Sequence, residues 1–78
     1  MRDTYPAVII ENASSFIGFI PDIYLYADGA TKEEAIQCLQ ERISEFFSIA
    51  EGAPFDIPKP SKKETLAEKW QGFEIVLI

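Results

Sequence analysis

Hydrophobic positions change their spacing once along this chain. Between Thr31 and Glu51 they fall at helical intervals, with Ile36, Leu39, Ile43, Phe46, Phe47 and Ala50 on one stripe and Ala35 widening it. Gln37, Glu41, Ser44, Glu45 and Ser48 fall on the opposite side. The pattern predicts one long helix over about 31–51. Thr31 with Glu34 three residues later forms a capping box, in which the hydroxyl accepts an early N–H and the carboxylate reaches back to the cap's own N–H. Gly29 allows a sharp entry, Gly52 supplies a left-handed stop, and Pro54 prevents resumption.

Before the helix the pattern is that of strands. Tyr5–Glu11, Ser15–Ile20 and Ile23–Asp28 are short runs rich in β-branched and aromatic residues. Pro6 suits an edge strand or a first paired residue. Asn12-Ala13-Ser14 reads as a tight turn with Asn12 in left-handed geometry, so the first two strands form an antiparallel hairpin. Gly18 marks a bulge or a close backbone approach. In the third strand Tyr24 and Tyr26 share one face, opposite Ile23, Leu25 and Ala27.

After the helix, 53–61 is a proline-punctuated connector that Phe55 and Ile57 are expected to pin to the core. Ser61 and Glu64 repeat the capping pattern ahead of a short helix carrying Leu66, Ala67 and Trp70, which Gly72 closes. Phe73–Ile78 is a fourth strand. The expected fold class is α+β: an antiparallel three-stranded sheet, one long helix packed on it, then a short helix and a fourth strand, in a single domain over 1–78.

Composition narrows the function classes. The formal net charge is −6, which argues against non-specific binding to nucleic acid or anionic membrane and suits a basic partner. Cys38 is the only cysteine, so no intrachain disulfide forms and a reduced, cytoplasmic setting is expected. It sits on the shoulder of the helix stripe and reads as packing, with no histidine in the chain to activate it. No apolar stretch follows a basic start, and none approaches a membrane span in length.

Four motifs carry a resemblance. Tyr5-Pro6-Ala7-Val8-Ile9, Phe19-Ile20-Pro21-Asp22-Ile23, Gly29-Ala30-Thr31-Lys32-Glu33-Glu34-Ala35 and Ile57-Pro58-Lys59-Pro60-Ser61 stand in the order and spacing of the HicB-like antitoxin domain, which this chain resembles over nearly its whole length. The resemblance implies a partial ribonuclease-H-like fold and a role in neutralising HicA, a small basic RNA-cleaving toxin. The sequence departs from the family's pattern in three places. Tyr24-Leu25-Tyr26 follows Ile23 where members often have Pro-Gly-Cys, and Ala13-Ser14-Ser15 replaces hairpin glycines. The DNA-binding module that many members append is not expected, so neither DNA nor RNA binding by this chain is expected.

Chemistry is sparse. A ribonuclease-H-type reaction needs converging carboxylates around two metals, and Asp3, Glu11, Asp22 and Asp28 lack ligand-like spacing. No catalytic, metal or cofactor residue is assigned. Lys59, Lys62, Lys63 and Lys69 are interrupted by Glu64 and Glu68 and read as helix-surface pairing. Glu34, Glu41 and Glu45 are either a solvated helix face or an acidic surface for a basic toxin, and Tyr24 and Tyr26 are either core residues or interface anchors. The alternative to an antitoxin is a stand-alone oligomeric scaffold or ligand-binding domain of the same fold.

Self-association is expected on either reading. Tyr5, Ala7 and Ile9 oppose Val8 and Ile10, and Phe16 and Ile20 oppose Ile17 and Phe19. A sheet with one wet face alternates apolar with polar residues, and these strands do not. The last strand, through Phe73, Ile75, Val76, Leu77 and Ile78, is the expected interface of a homodimer or higher homo-oligomer.

Overall fold

The computed structural model describes residues 4–52 and 57–78. Phe55 and Asp3, singled out above, lie outside the described residues, as does Pro54. The elements run β1 Pro6–Glu11, β2 Phe16–Ile20, β3 Leu25–Gly29, α1 Lys32–Ala50, α2 Lys63–Lys69 and β4 Glu74–Leu77. This is the expected α+β order. All four strands join one antiparallel sheet in the order β3-β2-β1-β4.

The β1–β2 hairpin closes through Asn12 and Ser15, which exchange backbone hydrogen bonds at 2.8 and 3.4 Å. Asn12 is not left-handed; its side chain instead accepts from the N–H of Ala13 at 2.9 Å. Bonded pairs alternate along an antiparallel ladder. From Asn12–Ser15 the phase runs through Ile10–Ile17 and Val8–Phe19, and the same register brings Pro6 opposite Pro21. Neither proline has an N–H to give, so the ladder ends there. Pro6 is thus the first residue of a central strand.

α1 lies on one face of the sheet. Leu39 and Ile43 are buried there against Tyr5, Ala7, Ile20, Ala27 and Ile78; Ile36, Phe46 and Phe47 pack around that core, and Ala35 is buried near the start of the helix. Close approach explains two glycines. A Cβ on Gly18 would lie 3.0 Å from Leu39 Cδ2, and one on Gly29 would lie 2.6 Å from the backbone nitrogen of Ala35. The β1–β2 register is continuous through Gly18, so the reason for it is the helix and not a bulge.

The other face carries Val8, Phe19, Tyr26 and Ile75, which are neighbours across the sheet. Here Leu66 of α2 is buried against Val8 and Ile75, with Trp70 and Ile10 beside them. The Trp70 ring meets Phe19 and Phe73 edge-on at 6.0 and 6.1 Å. A short helix therefore covers the centre of the second face, which is why the strands do not alternate. The apolar surface left open is smaller than the sequence suggests and lies toward the two outer strands: Tyr26 on β3, Leu77 on β4 and Phe73 beside it.

Helix ends follow the sequence in part. Thr31 Oγ1 accepts from the N–H of Glu34 at 3.2 Å, as a cap should, but the Glu34 carboxylate accepts from Ala30, one residue before the cap, at 3.0 Å. At the far end Glu51 stays right-handed, and Gly52 is not left-handed. Gly72, at φ 89°, is. Ser61 does not cap α2; Lys62 occupies that position without a side-chain bond.

Candidate functional site

The connector between the helices is tied to the sheet at both of its described ends. The Tyr5 hydroxyl, buried beneath it, donates to the carbonyl of Pro58. Asp22, in the turn after β2, accepts from the Ser61 backbone N–H at 2.9 Å and from the Ser61 hydroxyl at 2.5 Å. Ile57, just before Pro58, packs on the main core. Sequence reasoning assigned Asp22 to a turn and Ser61 to a cap. Their partnership spans 39 residues, and no local pattern encodes it.

These ties join three of the four motifs. Tyr5 belongs to the first, Asp22 to the second, and Pro58 and Ser61 to the fourth. Gly29 and Ala35, which touch within the third, seat α1 on the sheet. The motif residues are thus mostly the joints of the fold, and the surfaces available to a partner lie elsewhere.

One such surface is the outer side of α1. Glu34, Glu41 and Glu45 are all exposed there. Glu34 is engaged at the helix start, whereas Glu41 and Glu45 form no ion pair among the described residues. A shallow space of about 490 Å³ along this side is bounded by Gln37, Gln40, Glu41, Ser44 and Glu45. All of these come from one helix, so it is the gap between long side chains and not a cleft that would enclose a small ligand. Cys38, expected to pack, is exposed on this same side.

Neither tyrosine belongs to α1. Tyr26 projects from the sheet face opposite α1, since its neighbours Leu25 and Ala27 pack on the α1 side. Tyr24 is not in the strand at all. It ends the turn Pro21–Tyr24 at φ 55°, a left-handed conformation rare for an aromatic residue, with 82% of its surface exposed. The five residues do not form one continuous site: the glutamates lie on the outer side of α1, Tyr26 on the sheet face away from α1, and Tyr24 in a turn.

The expected self-association strand also divides. Ile75 and Ile78 are buried within the chain itself, and Val76 packs against the main core. Only Phe73 and Leu77 present apolar side chains to solvent. Sequence reasoning missed Ile49, which is 72% exposed on the outer side of α1; helical spacing from Glu45 was the signal for it.

Among the described residues, no group of three or more His, Cys, Asp or Glu is gathered to hold a metal ion. No helix among them is long and apolar enough to cross a membrane. Comparison with protein-family models, curated proteins and solved structures finds no significant match.

Proposed function

We propose that this chain is a non-catalytic, cytoplasmic binding protein of antitoxin type, which captures and neutralises a small basic RNA-cleaving toxin of the HicA kind and self-associates as a dimer or larger assembly. The observation that carries the reading is the outer side of α1. Glu41 and Glu45 stand exposed and without an ion pair among the described residues, with Arg42 bordering them, on a chain of net charge −6, and the last helical turn has no basic residue. Such a surface attracts a basic one from solution and speeds encounter more than it deepens affinity. The joining of three of the four motifs by hydrogen bonds supports the resemblance to the antitoxin domain, from which the identity of the partner is taken.

The same charge disfavours nucleic acid. A protein that neutralises backbone phosphates needs a basic surface, and the lysines around α2 are interleaved with Glu64 and Glu68. A mobility-shift assay with promoter DNA is expected to show no salt-sensitive complex.

The decisive experiment is co-expression with a small basic RNA-cleaving protein encoded beside this one. Growth is expected to recover, and the two proteins are expected to co-purify. Failure on both counts, with the toxin shown to be active alone, overturns the antitoxin reading and leaves an oligomeric scaffold or ligand-binding domain.

A further inference from the structure

The sheet has two outer edges, and hydrogen-bond phase shows what each presents. Tyr5 and Ile78 exchange both backbone bonds, at 3.0 and 2.8 Å. Bonded and non-bonded pairs alternate along an antiparallel ladder. In the β1–β4 register, Ala7–Val76 and Ile9–Glu74 are therefore bonded, while Pro6–Leu77 and Val8–Ile75 are not. The N–H and C=O groups of Ile75 and Leu77 point away from β1, toward the open edge. The Phe73 N–H is taken by the carbonyl of Trp70 at 3.3 Å. Its own carbonyl opposes the inward N–H of Glu74 across a trans peptide, so it too faces outward.

The geometry points to β4 as the edge through which two copies of this chain pair, antiparallel, about a two-fold axis at Ile75. The inference rests on the self-association part of the reading above and is independent of the toxin. In this register Ile75 exchanges both bonds with the partner's Ile75. Leu77 donates to the outward carbonyl of the partner's Phe73, and the engaged Phe73 N–H is not called upon. The side chains agree with the backbone. Phe73 and Leu77 lie equally far on either side of Ile75 and on the same face, 44% and 58% exposed. Pairing about Ile75 sets each Phe73 beside the partner's Leu77 and covers both. Pairing about Val76 would instead set each Leu77 beside the partner's Ile75, which is already buried within its own chain.

Charge selects this occupant and this edge. Glu74 is the only charged side chain of β4, and Lys32 Nζ holds it at 2.5 Å. Two copies of a chain of net charge −6 thus meet here without an unpaired charge on either strand. A basic segment would find no unpaired carboxylate side chain on β4, and an acidic one no cationic side chain. Edges are normally guarded by charge, proline or a bulge, and β4 has none of these free to act. The β3 edge differs: by the same phase rule its outward residues are Tyr26 and Asp28, and Asp28 stands exposed and charged.

Sedimentation equilibrium of the full chain across the micromolar range tests the pairing. The expected mass is about twice the 8.8 kDa of one chain. Leu77→Lys is expected to return the single-chain mass with unchanged circular dichroism, whereas Tyr26→Lys on the other edge leaves the doubled mass. Register is read by oxidation in a Cys38→Ser background: Phe73→Cys mixed with Leu77→Cys is expected to cross-link, and Val76→Cys alone is not. A doubled mass that survives Leu77→Lys, or a Val76→Cys self-cross-link, overturns the proposed pairing and leaves self-association standing. A single-chain mass for the unmodified protein overturns both, while the toxin co-expression result is unaffected.

Discussion

Asp22 and Ser61 are held together twice, by the backbone N–H and by the hydroxyl of Ser61, both donated to one carboxylate. Asp22 sits in the turn after β2, and Ser61 stands where the connector leads into α2. The pair, with Tyr5 and Pro58, carries the chain from the α1 side of the sheet toward the α2 side.

Asp22→Ala is expected to destabilise the fold by about 1–3 kcal/mol, the range for removing a charged hydrogen-bond acceptor. For a domain of this size each kcal/mol lowers the melting temperature by roughly 4–8 °C. Thermal unfolding followed by circular dichroism measures it. Ser61→Ala keeps the backbone bond, so its effect is expected to be the smaller of the two.

Ile43 and Phe46 lie on the same helix stripe but not in the same environment. Ile43 is fully buried, and Phe46 is half-buried at the margin of the core. Ile43→Ala is expected to cost about 2–5 kcal/mol, the usual range for a large-to-small change in a core, and Phe46→Ala distinctly less despite its larger side chain. Urea denaturation of both variants checks the order. A larger loss for Phe46→Ala would mean that its ring contributes more than its burial indicates.

Tyr24 is a candidate for a trade between stability and binding. An ordinary residue in left-handed geometry costs roughly 1–2 kcal/mol, and an exposed ring recovers little of this by packing. Asn tolerates the conformation without loosening the unfolded chain as Gly would. Tyr24→Asn is expected to stabilise the isolated protein by about 0.5–1 kcal/mol, read as a raised melting temperature. A lowered one would mean that the ring is held by contacts of its own.

The glutamates and Tyr26 lie on opposite sides, so one rigid partner engages one and not the other. On the acidic-surface reading, Glu41→Lys with Glu45→Lys is expected to slow toxin association at least tenfold at low salt and to flatten its salt dependence. Tyr26→Ala is expected to leave the association rate unchanged. Stopped-flow association at two ionic strengths separates the surfaces, and the reverse outcome would move the interface to the β3 side.

Local spacing was enough to determine the elements. A 3.6-residue stripe from Ala35 to Ala50 identified α1, the Thr31–Glu34 spacing placed its start, and β-branched runs marked the strands, because these signals arise from residues a few positions apart. The faces of the strands were also legible, since alternation along an extended chain is fixed by the backbone. Tertiary structure alone decided what those faces meet. The doubly apolar strands looked like a large sticky sheet until Leu66 and Trp70 were found covering the centre of its second face. Ser61 looked like a cap until Asp22 proved to be its partner. Tyr24 was placed in a strand by its alternation with Tyr26, yet the turn that brings β3 back beside β2 requires it to be left-handed. Capping, turn and strand residues draw on the same few side chains, and each is committed only when the fold brings a distant competitor within hydrogen-bonding or packing reach.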